Sequence, residues 1–203
     1  MNELLFLWVD ILGIAAFALS GYLAAVRSRL DWLGIFLIAF LTALGGGILR
    51  DLVANTTPFT FRETYPALTV AIVTAAALLL RLHRREIDRH KLFILTDAVG
   101  LSSFAITGAL VALDAGLNTA AVLLMALITA VGGGVVRDVL LNRVPAILTS
   151  EFYGSVALLI GLAVLLIDLF AHFNHLWALG LMAAGIVLRM MAVKFNWRLP
   201  VPQ

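Results

Sequence analysis

The chain has 203 residues, of which 63% are hydrophobic and 13% charged, with a formal net charge of +2 and a mean hydropathy of +1.06. The charged fraction is about half that of a soluble domain, which excludes a sizeable water-soluble catalytic domain. The absence of cysteine excludes disulfides, thiol catalysis and cysteine metal sites.

Apolar runs near the ~20 residues that a helix needs to cross a bilayer recur along the chain. The first covers 4–26; it holds Asp10 and lacks a basic leader, so it reads as a span and not as a cleaved signal. After RSRLD (27–31) a second run, 31–54, contains GGGILRDL (45–52). NTTPFTFRE (55–63) leads to a third, 64–82, and the basic segment RLHRREIDRHK (81–91) to a fourth, 92–113, which holds Asp97. DAGLN (114–118) precedes a fifth, 117–141, containing GGGVVRDV (132–139). NRVPAILTS (142–150) and HFNH (172–175) separate the sixth and seventh, 151–171 and 175–193. The pattern predicts an all-α polytopic membrane protein with seven transmembrane helices.

Basic residues orient these spans. Arg27, Arg29, Arg81, Arg84, Arg85, Arg89, Lys91, Arg143, Lys194 and Arg198 fall on one side, and Arg62 on the other. The first side is therefore expected to be cytoplasmic, with the N-terminus outside and the C-terminus inside. Because the basic residues gather in loops on one side, the pI of 9.4 does not point to nucleic acid. Trp8, Trp32, Trp177 and Trp197 lie near expected interfaces, as an aromatic belt would. His83, His90, His172 and His175 lack metal-ligand spacing and read as surface groups. Arg189, near the end of the last span, is expected to snorkel.

The chain matches itself at an offset of 87 residues. DILGIAAFALSG (10–21) lies over DAVGLSSFAITG (97–108), and residues 10–58 share 19 identities in 49 positions with 97–145. After a one-residue slip, Glu63 and Tyr65 match Glu151 and Tyr153. Each copy holds three spans, so the second enters the membrane from the opposite side: a 3+3 inverted-topology repeat plus one extra C-terminal helix. The single membrane domain, 1–203, divides into repeat A (1–82), a basic cytoplasmic linker (83–91), repeat B (92–172) and span seven with its tail (173–203).

The candidate functional residues are those that a membrane helix tolerates poorly. Gly45, Gly46 and Gly47, and likewise Gly132, Gly133 and Gly134, each cost a helix ~1 kcal/mol relative to alanine, and a triplet predicts a kink or unwound turn. Gly46 lies ~20 Å into its span, near mid-membrane, where freed carbonyls can meet a cation. Close helix packing is the structural alternative. Asp10, Arg50, Asp51, Asp97, Arg137 and Asp138 are ionisable groups within spans, expected to pair or to face water. Depth pairs Asp10 with Arg50 and Asp97 with Arg137, leaving Asp51 and Asp138 freer. Their sum of −2 favours cations. The equivalent hydroxyls Ser20/Thr107 and Thr42/Thr129 can supply neutral oxygen or bond to their own backbone.

Two GGGxxRD motifs in a 3+3+1 arrangement resemble the prokaryotic branch of the trimeric intracellular cation channels, TRIC, and also bacterial inner-membrane proteins known as glycine transporters. The resemblance covers nearly the whole chain. It implies a homotrimer with one hourglass pore in each protomer, passing mainly potassium and also sodium. Its second and fifth spans would kink at the two glycine triplets and line the pore, with Arg50, Asp51, Arg137 and Asp138 beside it. The resulting expectation is a potassium-permeable monovalent cation channel in the cell inner (plasma) membrane. The alternative is a secondary transporter of a small amino acid such as glycine, with Arg50 or Arg137 on the carboxylate and an Asp on the ammonium. No nucleophile–base constellation suggests an enzyme, and no cofactor or fixed metal is expected. The expected partners are other copies of the chain and membrane lipids, with a bound lipid as candidate ligand, and neither nucleic acid nor a soluble protein.

Overall fold

A computed structural model describes residues 3–82, 89–149 and 152–197. The positions of His83, Arg84, Arg85, Glu151 and Arg198 lie outside the described residues, as does the middle of the basic linker.

Every described element is helical: α1 (Glu3–Arg27), α2 (Trp32–Val53), α3 (Phe59–Arg62), α4 (Tyr65–Leu79), α5 (Arg89–Asp114), α6 (Thr119–Leu140), α7 (Ala146–Thr149), α8 (Tyr153–Phe170) and α9 (His175–Lys194). Among the described residues, six helices are long and apolar enough to cross a membrane. The expected third span, 64–82, is shorter: α4 has 15 residues, about 22 Å of helix. The apolar pattern runs past its end, but Leu80 closes the helix and Arg81 takes a left-handed conformation (φ 50°).

Matching chemistry begins and ends the two glycine-bearing helices. Asp31 caps α2 by accepting from the Gly34 N–H at 2.8 Å, and Asn118 caps α6 by accepting from the Ala121 N–H at 3.0 Å. Each side chain thereby satisfies one orphan donor of the first turn. At the other ends Asn55 and Asn142 adopt φ of 55° and 53°, the left-handed turn that asparagine tolerates best after glycine.

Four helices form the centre. α1 packs on α5 and α2, α5 on α6, and α2 on α6. α4 lies against α1 and α2, α8 against α6 and α5, and α9 against α5 and α8. The buried residues include many alanines, among them Ala18, Ala25, Ala39, Ala43, Ala105, Ala126 and Ala130. Small side chains let membrane helices approach until backbone contacts supply the packing energy. Phe17 and Phe104 fill the middle edge to face, with ring centroids 5.3 Å apart. A methyl on Gly13 would meet the Phe104 ring at 2.7 Å, and one on Gly100 would collide with Phe17. The outer surface carries exposed leucines and all four tryptophans.

Both glycine triplets lie inside unbroken helix, so the unwound turn and freed carbonyls expected at 45–47 and 132–134 are not found. The cause is the partner helix. A β-carbon on Gly46 would clash with the Thr129 carbonyl oxygen, and one on Gly133 with that of Thr42. The glycines let the α2 and α6 backbones touch, and that contact offsets their poor intrinsic helix propensity.

Candidate functional site

On either side of this crossing lies a buried cluster of ionisable groups. The first joins Arg50 and Asp51 of α2 to Asp10 of α1. Arg50 Nη1 is 3.8 Å from Asp10 Oδ1, and Arg50 Nε donates to Asp51 Oδ1 at 2.8 Å. The rings of Phe6 and Phe59 face the Arg50 guanidinium at 5.6 and 5.1 Å, a packing that suits a desolvated cation. The second cluster repeats the plan. Arg137 Nη1 donates to Asp97 Oδ1 at 2.8 Å, Arg137 Nε donates to Asp138 Oδ1 at 2.8 Å, and Phe93 lies 4.8 Å from the guanidinium. Asp10–Arg50 and Asp97–Arg137 are the pairs expected from depth.

Asp51 and Asp138 are not the freer carboxylates that depth suggested. Besides its neighbouring arginine, each accepts from a backbone N–H eight residues ahead. Asp51 Oδ2 takes the Phe59 N–H at 2.7 Å, and Asp138 Oδ2 takes the Ala146 N–H at 3.0 Å. Those donors open α3 and α7, where Pro58 and Pro145 have just ended the preceding turn. Each Arg–Asp pair therefore ties the end of a glycine-bearing helix to the loop that follows it.

The hydroxyls divide. Thr42 and Thr129 donate to their own helices, to Ile38 O and Met125 O at 2.6 Å, which leaves the lone pairs of each hydroxyl oxygen as acceptors. Thr107 does the same toward Phe104 O at 3.4 Å. Ser20 alone of the four joins a charge cluster: it accepts from Arg137 Nη1 at 3.0 Å and donates to Asp97 Oδ1 at 3.2 Å. A serine of α1 thus enters the cluster of α5 and α6.

Two tyrosines complete the site, and their matching positions after the one-residue slip were the signal for them. Tyr65 donates to Asp10 Oδ2 at 3.0 Å. Tyr153 is its counterpart in the second cluster, its buried hydroxyl facing Asp97 and Arg137. Phe6 and Phe93 carry the 87-residue register a further four positions upstream of Asp10 and Asp97. Arg189 does not snorkel; it is buried, with its guanidinium 4.9 Å from the Tyr153 ring. A cavity of about 460 Å³ reaches this cluster, lined by Asp97, Arg189, His90, Phe93 and Asn196 among others.

Membrane-length helices enclosing paired Asp–Arg clusters, on both sides of a glycine crossing, define a polytopic membrane protein with a charged interior. The chain belongs to the family whose model is described as Glycine transporter, which matches residues 7–83 and 94–168. It is 35% identical to the membrane protein YvgT of Bacillus subtilis, over 95% of this chain and 94% of the relative. It is 33% identical to the inner membrane protein YadS of Escherichia coli K12, over 96% and 94%. Its structural neighbours are prokaryotic TRIC channels. One, solved in 0.5 M KCl, superposes with a TM-score of 0.87 at 32% identity, covering 98% of this chain and 100% of that one. The TRIC orthologue from Rhodobacter sphaeroides gives 0.86 at 33% identity, covering 94% and 98%.

Proposed function

We propose that the protein is a potassium-permeable monovalent cation channel, with one conduit inside each protomer of a homotrimer, and that the conformation described is closed. The observation that carries this reading is the whole-length match to a TRIC channel. The geometry supports it: the four buried carboxylates outnumber the three buried guanidiniums of Arg50, Arg137 and Arg189, which leaves −1 along the candidate route, a sign that attracts cations. Where α2 and α6 cross at Gly46 and Gly133 their backbones are in contact, so conduction requires these helices to part.

In this reading 1–82 and 92–172 are inverted repeats and α4 is the third of seven spans, its 15 residues supplemented in depth by α3. The basic loops lie in the cytoplasm and the N-terminus outside, in the inner membrane. The Arg143–Ser28 hydrogen bond of 2.9 Å supports one shared side for the 27–31 and 142–150 loops. Transport of this kind needs no cofactor and no catalysis; potassium and sodium pass without a fixed site.

The family description favours a second reading, a carrier of glycine or a similar zwitterion. Purified protein in a planar bilayer separates the two. Single-channel current with potassium as the only cation supports the channel. Saturable glycine uptake into vesicles, independent of potassium and without unitary current, supports the carrier.

A further inference from the structure

Ser20 and Thr107 hold the same place in the 87-residue register, one residue before Gly21 and Gly108. Their surroundings match. A methyl on Gly21 would meet Thr42 Oγ1 at 2.7 Å, and one on Gly108 would meet Thr129 Oγ1 at 2.6 Å. Both residues are fully buried. Their bonds do not match. Ser20 lies between Arg137 Nη1 and Asp97 Oδ1, at 3.0 and 3.2 Å, so a helix of the first half holds an arginine of the second. Thr107 turns back to Phe104 O at 3.4 Å, long for an O–H···O bond. In the cluster that the register assigns to Thr107, Asp10 Oδ1 and Arg50 Nη1 stand 3.8 Å apart, each buried and without a hydrogen-bond partner among the described residues.

The loops repeat this imbalance. Arg143 Nη2 donates to Ser28 Oγ at 2.9 Å, tying the segment after α6 to the end of α1. The register puts Thr56 and Ala115 at the corresponding places, and the alanine side chain cannot accept such a bond. Thr56 bonds instead within its own turn, to Asp51 O at 3.2 Å. Two arginine–serine hydrogen bonds thus join α6 and its loop to α1, and neither has its counterpart between α2 and α5.

We infer that Ser20 is a positioning residue that fixes α6 to α1, and that α2 is the helix that moves when the conduit opens. The consequence rests on the channel reading; the geometry does not. Parting the glycine crossing by moving α6 breaks the hydrogen bonds of Arg137 to Asp97 and Ser20 and of Arg143 to Ser28, all three charge-assisted. Moving α2 opens the Arg50–Asp10 pair, which already stands at 3.8 Å. α2 also has the shorter support: α4 beside it has 15 residues, and α8 beside α6 has 18. Threonine in a helix readily bonds its hydroxyl to a preceding carbonyl, which leaves the first cluster loose where serine closes the second.

The test alters each hydroxyl in the full-length chain and reads it by single-channel recording and by crystal structure. Ser20→Ala frees α6 and raises the open probability about five-fold or more, the usual scale of such coupling. Thr107→Ser lowers it, because a serine Oγ at that place can bridge Arg50 and Asp10 as Ser20 bridges Arg137 and Asp97. A merely structural Ser20 would change stability and leave the open probability where it was, and an α6 that moves alone would make Thr107→Ser silent. An open probability that fails to move in either variant, or moves the opposite way, overturns the inference. Should Ser20→Ala fail to fold, Thr107→Ser, which removes one methyl, carries the test. The structural arm stands apart from current. In the Thr107→Ser structure, the new Oγ within hydrogen-bond distance of Arg50 and Asp10 supports the inference, and an unchanged first cluster refutes it even in an active channel. Absence of potassium current from the unmodified protein counts against the channel reading and leaves the structural arm to decide.

Discussion

A β-carbon added at Gly46 would collide with the Thr129 carbonyl oxygen, and the equivalent carbon at Gly133 with that of Thr42. The two helices are therefore held at backbone contact by the absence of one atom on each. Gly46→Ala and Gly133→Ala should each destabilise the fold by about 1–3 kcal/mol through overpacking, despite alanine's better helix propensity. Gly134→Ala, whose added carbon meets only Tyr153 Oη and an Arg137 nitrogen at 3.5 and 3.6 Å, should be neutral or stabilising. Thermal unfolding in one detergent ranks the three, and a Gly134→Ala as damaging as Gly46→Ala would contradict the packing account.

The two buried ion pairs should differ in strength. A double-mutant cycle on Asp97 and Arg137, in contact at 2.8 Å, should give a larger coupling energy than one on Asp10 and Arg50 at 3.8 Å. Single removal of Asp97 should cost less than the about 3–5 kcal/mol of a fully stranded buried charge, because Arg137 keeps Asp138 at 2.8 Å. Equal couplings would show that the spacing carries no energetic difference.

Asp51 and Asp138 should act on the loops that follow their helices. Asp51→Ala removes the acceptor of the Phe59 N–H, and Asp138→Ala that of the Ala146 N–H. A buried donor left unpaired costs about 1–3 kcal/mol. Hydrogen exchange should accelerate at Phe59 in the first variant and at Ala146 in the second, with little change at the other site. Uniform acceleration along α2 or α6 would instead indicate loss of the helix itself.

Tyr65→Phe removes the hydrogen bond to Asp10 Oδ2; Oδ1 faces Arg50 at 3.8 Å and has no hydrogen-bond partner among the described residues. The loss should lower stability by about 1–3 kcal/mol. Adding Asp10→Asn in the same chain should lower stability further, since Arg50 then loses the carboxylate that faces it from α1; thermal unfolding of the single and double variants checks both.

Much of this arrangement could be read from residue order. The offset of 87 residues aligned Asp10 with Asp97 and Arg50 with Arg137, and depth along a helix was enough to pair them. The remainder depended on distance across the fold. A glycine triplet has a known intrinsic cost, but nothing local says that another backbone arrives against it; Thr129 does, and the helix survives. Asp51 looked free because its partners are the arginine just before it, already assigned to Asp10, and the backbone N–H of Phe59 beyond the turn at Asn55. Arg189 looked like a snorkelling end residue because Tyr153 belongs to a different helix. α4 looked longer because apolar residues continue through Leu82 after the helix has closed at Leu80.

The central claim is that α2 and α6 must separate at their glycine crossing for potassium to pass. The chain has no cysteine, so an engineered cross-link has a clean background. Val136 Cγ2 lies 3.9 Å from the β position of Gly45, so cysteines at Gly45→Cys on α2 and Val136→Cys on α6 face each other within reach of an oxidative cross-link. In a planar bilayer under a potassium gradient, the doubly substituted protein should conduct when reduced, fall silent when oxidised and recover with reductant. Undiminished potassium current through verified cross-linked protein would contradict the account.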